Sequence, residues 1–225
     1  MCVIAIKQRN VQYPSYERVQ NMCDNNDDGF AIVYHVQGEP VKQYRTLNKD
    51  KFLNKYREIT STYNSEDVAL FIHARIKTHG SEKLDNCHGW IDDDLGIAFA
   101  HNGILSIKNR GDLTDSETFF RDIFVPIFKI GGWDLGIKAI NAVIGTSKFV
   151  FMDFHGDITH FGVYITGDDG ILYSNNSYSY KKSAYCYGSY GSYGKYSSYY
   201  SSYKKTTPNT SKSFYDWDNN YDWFD

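Results

Sequence analysis

Cys2 directly follows Met1, so loss of one residue leaves a thiol and a free α-amine on the same residue. Such an amine has an unperturbed pKa of about 7.7–8.0 and is partly deprotonated near neutral pH. It can therefore take the thiol proton as the sulfur attacks an amide carbonyl. A buried strand cysteine with no chemistry is the alternative for this position.

Three further segments carry residues suited to the same kind of reaction. In His73-Ala74-Arg75-Ile76-Lys77-Thr78-His79-Gly80 an apolar run ends in a cationic, hydroxyl-bearing stretch. An arginine at a buried strand end can hold a carboxylate in two parallel hydrogen bonds, or form a structural ion pair. In Phe99-Ala100-His101-Asn102-Gly103-Ile104 a strand-like run meets Asn-Gly. That pair is either a plain turn or a source of two donors, the Asn amide and a glycine N–H, for a developing oxyanion. Thr114-Asp115-Ser116-Glu117-Thr118 opens a helical pattern and reads as a cap, with a carboxylate that could also meet an ammonium group. His88 beside Cys87, and His155 near His160, lack the ligand spacing of a zinc site, so these histidines are expected on the surface or in turns.

The elements that must position these residues can be read from periodicity and turn chemistry. Residues 2–7, 30–34, 41–44, 68–75, 96–100, 148–154 and 158–165 read as strands. Asn25-Asn26-Asp27-Asp28-Gly29, Gly38-Glu39-Pro40 and His155-Gly156-Asp157 supply turns. Ser15 caps a short helix through Val19, and residues 50–58 are helical with Phe52, Leu53 and Tyr56 on one face. Residues 116–129 and 133–144 read as two more helices. Strands clustered in hairpins with helices between them predict an α+β fold with mainly antiparallel sheets.

The chain has 225 residues, enough for one domain and an appendage, and a formal net charge of −3 that gives no electrostatic case for nucleic acid. Its four cysteines form no CxxC pair, which suits a reducing compartment better than a disulfide framework. The first apolar run is broken by Lys7, Gln8 and Arg9, too early for a signal peptide, and no stretch is apolar enough to span a membrane. A soluble, cytoplasmic protein is expected. Composition changes near Ser174, and residues 178–225 are rich in Tyr, Ser, Gly and Lys with almost no aliphatic side chains. This stretch cannot bury a core and is expected to be a disordered, low-complexity tail, inert or adhesive, behind a domain of residues 1–177.

The order of the motifs is more specific than any one of them. An N-terminal Cys, then Arg75-Ile76-Lys77-Thr78-His79-Gly80, Asn86-Cys87-His88, His101-Asn102-Gly103 and Asp115-Ser116-Glu117 resembles the class II glutamine amidotransferases, an N-terminal-nucleophile hydrolase family. Asp28-Gly29 is similar to the family's early turn, and residues 173–178 to the last segment of its small stand-alone members, many of them encoded by phages. Ile76-Lys77 stands in place of the family's Trp-Ala, and Gly89 where a Pro often follows the His.

The resemblance implies a four-layer αββα sandwich with two antiparallel sheets. It implies that Cys2 attacks the side-chain amide of glutamine with its own amine as base, and that Asn102 and Gly103 stabilise the oxyanion. Arg75 would bind the substrate α-carboxylate and Asp115 its α-ammonium, with Thr78 and His79 shaping the pocket. No cofactor or metal is implied, and the ammonia would serve a separate synthase. Two alternatives keep the residues and change the role. One is hydrolysis of another amide or a γ-glutamyl peptide, motivated by Lys77; the other is a non-catalytic scaffold acting through the Tyr-rich tail.

Overall fold

The computed structural model describes residues 1–76, 83–111 and 113–180. The expected tail beyond residue 180 lies outside them, as do Lys77, Thr78 and His79.

In chain order the elements are β1 (Val3–Lys7), α1 (Tyr16–Asn25), β2 (Phe30–Val36), β3 (Lys42–Thr46), α2 (Lys49–Thr62), β4 (Val68–Ala74), β5 (Trp90–Asp92) and β6 (Ile97–Asn102). There follow α3 (Asp115–Thr118), a π-helical segment Phe119–Phe124, α4 (Val125–Val143), β7 (Lys148–Met152), β8 (Ile158–Phe161), β9 (Ile165–Thr166) and β10 (Leu172–Tyr173). Six strands form one sheet in the order β3-β2-β4-β1-β10-β9, and four form a second in the order β5-β6-β7-β8. Every strand pair is antiparallel.

Side-chain alternation along the strands explains how the layers stack. In β1, Val3 and Ala5 join Val19, Met22 and Cys23 of α1 and Phe52, Leu53, Tyr56 and Ile59 of α2 in one core. The alternate residues Ile4 and Ile6 pack with Val33, Ala69 and Phe71 against Ala98, Ala100, Val150 and Met152 of the second sheet. Phe99, Phe149 and Phe151 face the other way and meet Phe119, Phe120, Phe124 and Trp133. A strand buried on both faces is apolar over most of its length, which is why β1, β2 and β4 read as hydrophobic runs broken at Lys7, His35 and His73. Three cores between four layers are the αββα arrangement. The expected α+β fold with two antiparallel sheets is what the chain forms.

Local details follow the chain chemistry. Ser15 and Asn48 cap α1 and α2 by accepting from Arg18 N and Lys51 N. The two helices expected over 116–129 and 133–144 abut, separated only by non-helical Gly131 and Gly132. Lys7, expected only to interrupt an apolar run, is fully buried on the helix side of β1. Its ammonium donates to the carbonyls of Val68 at 2.5 Å, Gln8 at 3.2 Å and Ser65, while burial lowers its pKa to about 8.

Two expectations need correction. The hairpin read through residue 165 ends at Phe161, and Ile165 belongs to the six-stranded sheet. Gly162, at φ +92°, is pressed against the Ser147 carbonyl where the chain leaves β8. His88, expected on the surface or in a turn, is buried. Gly89 N donates to Phe99 O, and Nδ1–H of His88 to the His101 carbonyl at 2.7 Å, so this stretch lies along the edge of β6 instead.

Candidate active site

The site is assembled at one end of the two sheets. In the β1–β4 pair Val3 lies opposite Ala74 and Ile4 opposite His73, so Cys2 and Arg75 follow as neighbours just beyond the paired residues. Both then share the inter-sheet face with Ile4 and His73, by the two-residue period of a strand. The Cys2 thiol donates to the Ile76 carbonyl at 3.7 Å. Burial pushes its pKa up, while the Ile76 backbone, the terminal ammonium and the Arg75 guanidinium pull it back. Met1, by contrast, is 72% exposed.

Arg75 is held by its backbone. Its N–H donates to Gly29 O at 2.8 Å, and its carbonyl accepts from Asp28 N at 3.0 Å. Gly29 is at φ +146°, and a Cβ there would stand 2.4 Å from Cys87 Sγ, so the Asp-Gly turn requires its glycine. The Arg75 side chain is buried, and its Nη1 has no hydrogen-bond partner among the described residues. A buried guanidinium with a free donor is a strong anion site.

Asn102 is the last residue of β6 and is buried. Its side-chain amide nitrogen stands 2.8 Å from Ser174 Oγ, which accepts from Ile4 N at 2.8 Å. Asn175 next in the chain donates to the Cys2 carbonyl at 2.6 Å. Residues 174 and 175 therefore tie the strand of Cys2 to the Asn-Gly corner. Gly103 sits at φ +149°, and a Cβ there would lie 2.2 Å from Ser147 Oγ. A close approach of this kind, at a positive φ, requires glycine.

Asp115 closes the corner. Its Oδ2 accepts from Leu105 N at 2.7 Å, and its Oδ1 from Ser116 N at 2.7 Å and Ser116 Oγ at 3.1 Å. Thr114 caps α3 by accepting from Glu117 N at 3.2 Å. The capping alternative is thus realised at Thr114, while Asp115 pins the loop that follows Gly103. Each carboxylate oxygen can accept more than one hydrogen bond, so these contacts leave capacity for a further donor.

Three buried histidines back the site. His73 and His88 stack with ring centroids 4.3 Å apart, and Nδ1 of His101 lies 2.7 Å from Ser116 Oγ. Burial is the main cause lowering all three pKa values, to about 3 for His88 and His101. They are neutral at physiological pH. No group of three or more His, Cys, Asp or Glu among the described residues could hold a metal ion.

Cys2, Arg75, Asn102 and Gly103 are thus brought to one end of the sheets, with Asp115 bound to the loop beyond Gly103. Thr78 and His79 lie outside the described residues. Sequence reasoning gave no role to Ser174, Asn175 or Ser147. For Ser174 and Asn175 the signal was the similarity of residues 173–178 to a family segment, and Ser147 carried none.

No protein-family model matches the chain. It is 30% identical over 105 residues to a Haemophilus influenzae protein named "Putative glutamine amidotransferase", covering 46% of this chain and 34% of that protein. It is 33% identical over 84 residues to the glutamine–fructose-6-phosphate aminotransferase (isomerizing) of Methanococcus maripaludis, covering 32% of this chain and 14% of that enzyme. The matches therefore span about a third or less of these relatives. Among solved structures, the allosteric regulatory enzyme of purine biosynthesis superposes with a TM-score of 0.51 at 16% identity, over 79% of this chain and 42% of the other. The glutamine phosphoribosylpyrophosphate amidotransferase of B. subtilis gives 0.49 at 15% identity, over 79% of this chain and 42% of the other. The chain shares a two-sheet sandwich fold with the purine-biosynthesis enzyme.

Proposed function

We propose that this chain is a glutamine amidotransferase of the class II type, which hydrolyses the side-chain amide of glutamine through Cys2 and yields glutamate and ammonia. The observation that carries the reading is the buried Arg75 guanidinium, with Nη1 unpartnered among the described residues, beside the Cys2 thiol. An amide substrate bearing its own carboxylate satisfies the first group while presenting its carbonyl to the second.

Removal of the exposed Met1 frees the Cys2 amine. The amine accepts the thiol proton as sulfur bonds to the amide carbon, and the carbonyl electrons move onto oxygen. The Asn102 amide and the Gly103 N–H stabilise that oxyanion. Its collapse expels the amide nitrogen as ammonia, with the proton returned by the Cys2 ammonium, and leaves a γ-glutamyl thioester. Water, deprotonated by the same amine, resolves the thioester to glutamate and free thiol. Asp115 receives the substrate ammonium beside its loop contacts. The ammonia passes to a separate synthase.

The test is ammonia release from glutamine by protein whose intact mass shows the loss of one Met. The wild type should release ammonia and be alkylated on Cys2 by a thiol-reactive glutamine analogue, and Cys2→Ala should do neither. Equal release by both proteins, or a wild type inert to both probes, sinks the reading.

A further inference from the structure

Ser174 Oγ is the meeting point of three elements. It lies 2.8 Å from Ile4 N in β1 and 2.8 Å from the Asn102 side-chain amide at the end of β6, and follows Tyr173 at the end of β10. Both Ser174 and Asn102 are buried, at 3% and 2% exposure. With the amide nitrogen turned to Ser174, the hydroxyl receives two donors and gives its own proton to no acceptor among the described residues. In the same arrangement Asn102 Oδ1 is buried with no partner among them. Two polar groups are then unsatisfied within one hydrogen-bond length of each other, and each unmade bond of this kind is costly.

Exchanging the amide oxygen and nitrogen of Asn102 pairs the hydroxyl with Oδ1 and leaves the NH2 as the unpaired group, without moving a heavy atom appreciably, because the two ends of the group are nearly isosteric. Ser174 then accepts from Ile4 N and donates to Asn102 Oδ1. The NH2 turns away from Ser174, on the inter-sheet side where Cys2 and Arg75 end their strands. A donor buried there without a protein partner is what an oxyanion needs, and its unmade bond is completed only when charge develops.

We propose that the Ser174 hydroxyl donates to Asn102 Oδ1 and so holds the Asn102 NH2 turned toward the reacting carbonyl, which makes Ser174 a positioning residue. The hydrogen-bond assignment stands on the geometry alone, and its catalytic consequence rests on the function proposed above. Ser174→Ala removes the only proton that distinguishes the two ends of the amide at this point. The amide then samples both orientations, and the fraction poised for catalysis falls.

Two measurements test this. Neutron diffraction from deuterium-exchanged crystals of the full chain should show a deuteron on Ser174 Oγ directed at Asn102, and both amide deuterons on the far side. Amide deuterons between the two residues overturn the proposal, whatever the activity of the protein. In glutamine hydrolysis, Ser174→Ala should lower kcat by roughly 10–100-fold with KM changed less than about twofold, the size expected for a misdirected oxyanion donor. Ser174→Thr, which keeps the hydroxyl, should recover most of the loss. In an Asn102→Ala background, Ser174→Ala should cost less than about twofold, because the group it acts through is gone. An equal loss in both backgrounds overturns the positioning role. A wild type that does not hydrolyse glutamine refutes the proposed function, and the deuteron positions then still decide the Ser174 assignment.

Discussion

Arg75 is anchored through its backbone, and its Nη1 has no partner among the described residues. The Asp28-Gly29 turn fixes where its Cα stands, and the buried guanidinium keeps a donor available among the described residues. The planar fork matches a carboxylate in a way an ammonium does not. Arg75→Lys should therefore raise the KM for glutamine by about 10–100-fold, while kcat changes less than about fivefold, as loss of one limb of a charge-assisted pair demands. Steady-state kinetics on the two proteins decide it, and an unchanged KM would show that Arg75 is a structural cation. At this scale the sequence was most informative where residue type and position coincide: Cys2, Arg75 and Asn102-Gly103 stand out within short segments, and the fold brings them to one end of the sheets. Ser174 does not, because its partners Ile4 and Asn102 lie 170 and 72 residues away and a lone serine carries no pattern.

At the scale of elements, the site is a set of strand ends held by corners that only glycine can turn. Gly103 combines φ +149° with a Cβ position 2.2 Å from Ser147 Oγ, whereas Gly38, at φ +85°, has open space around it. Gly103→Ala should lose about 2–4 kcal/mol of unfolding free energy and most of the hydrolytic activity, from strain and steric conflict together. Gly38→Ala should lose about 1–2 kcal/mol, the cost of a left-handed conformation alone, and keep its activity. Urea unfolding of both variants separates the two effects; equal losses would mean that the Ser147 contact does not constrain the corner. The long strands and helices were legible because burial on one or two faces writes a period into the chain. β5 and β10 were not, since strands of three and two residues are too short to show one. Nor could periodicity reveal that β8 and β9, close in sequence, belong to different sheets.

The whole molecule places His73, His88 and His101 between its layers, where burial above all keeps them neutral. The other two rings and Arg75 add to the effect on His73, and Lys148 to that on His101; at His88 the His101 ring and Arg75 lower the pKa, while the hydrogen bond to the His101 backbone and, less strongly, Asp115 raise it. Between the folded value of about 3 for His88 and the unfolded value near 6.5, the unfolded chain binds a proton that the folded chain does not. Stability must then fall as pH falls through this window, by up to about 1.4 kcal/mol per pH unit for each such histidine. His88→Asn, which retains a polar group at the His101 backbone, should flatten the dependence between pH 6.0 and 4.5 by about that amount. Denaturant titrations across this range test it, and an unaltered slope would show that His88 is not a source of the acid sensitivity.

The same global architecture has a consequence in time. Asn175 holds the carbonyl of Cys2 across 173 residues of chain, and Ser174 closes on Ile4 and Asn102 at the same point. At about 5–20 residues per second of synthesis, roughly 9–35 s separate the emergence of Cys2 from that of the residues that seat it. The thiol made first is seated last. A nascent chain interrupted before β10 carries the cysteine without the residues that hold it, so under the function proposed above translation itself would set the moment at which the reaction can begin.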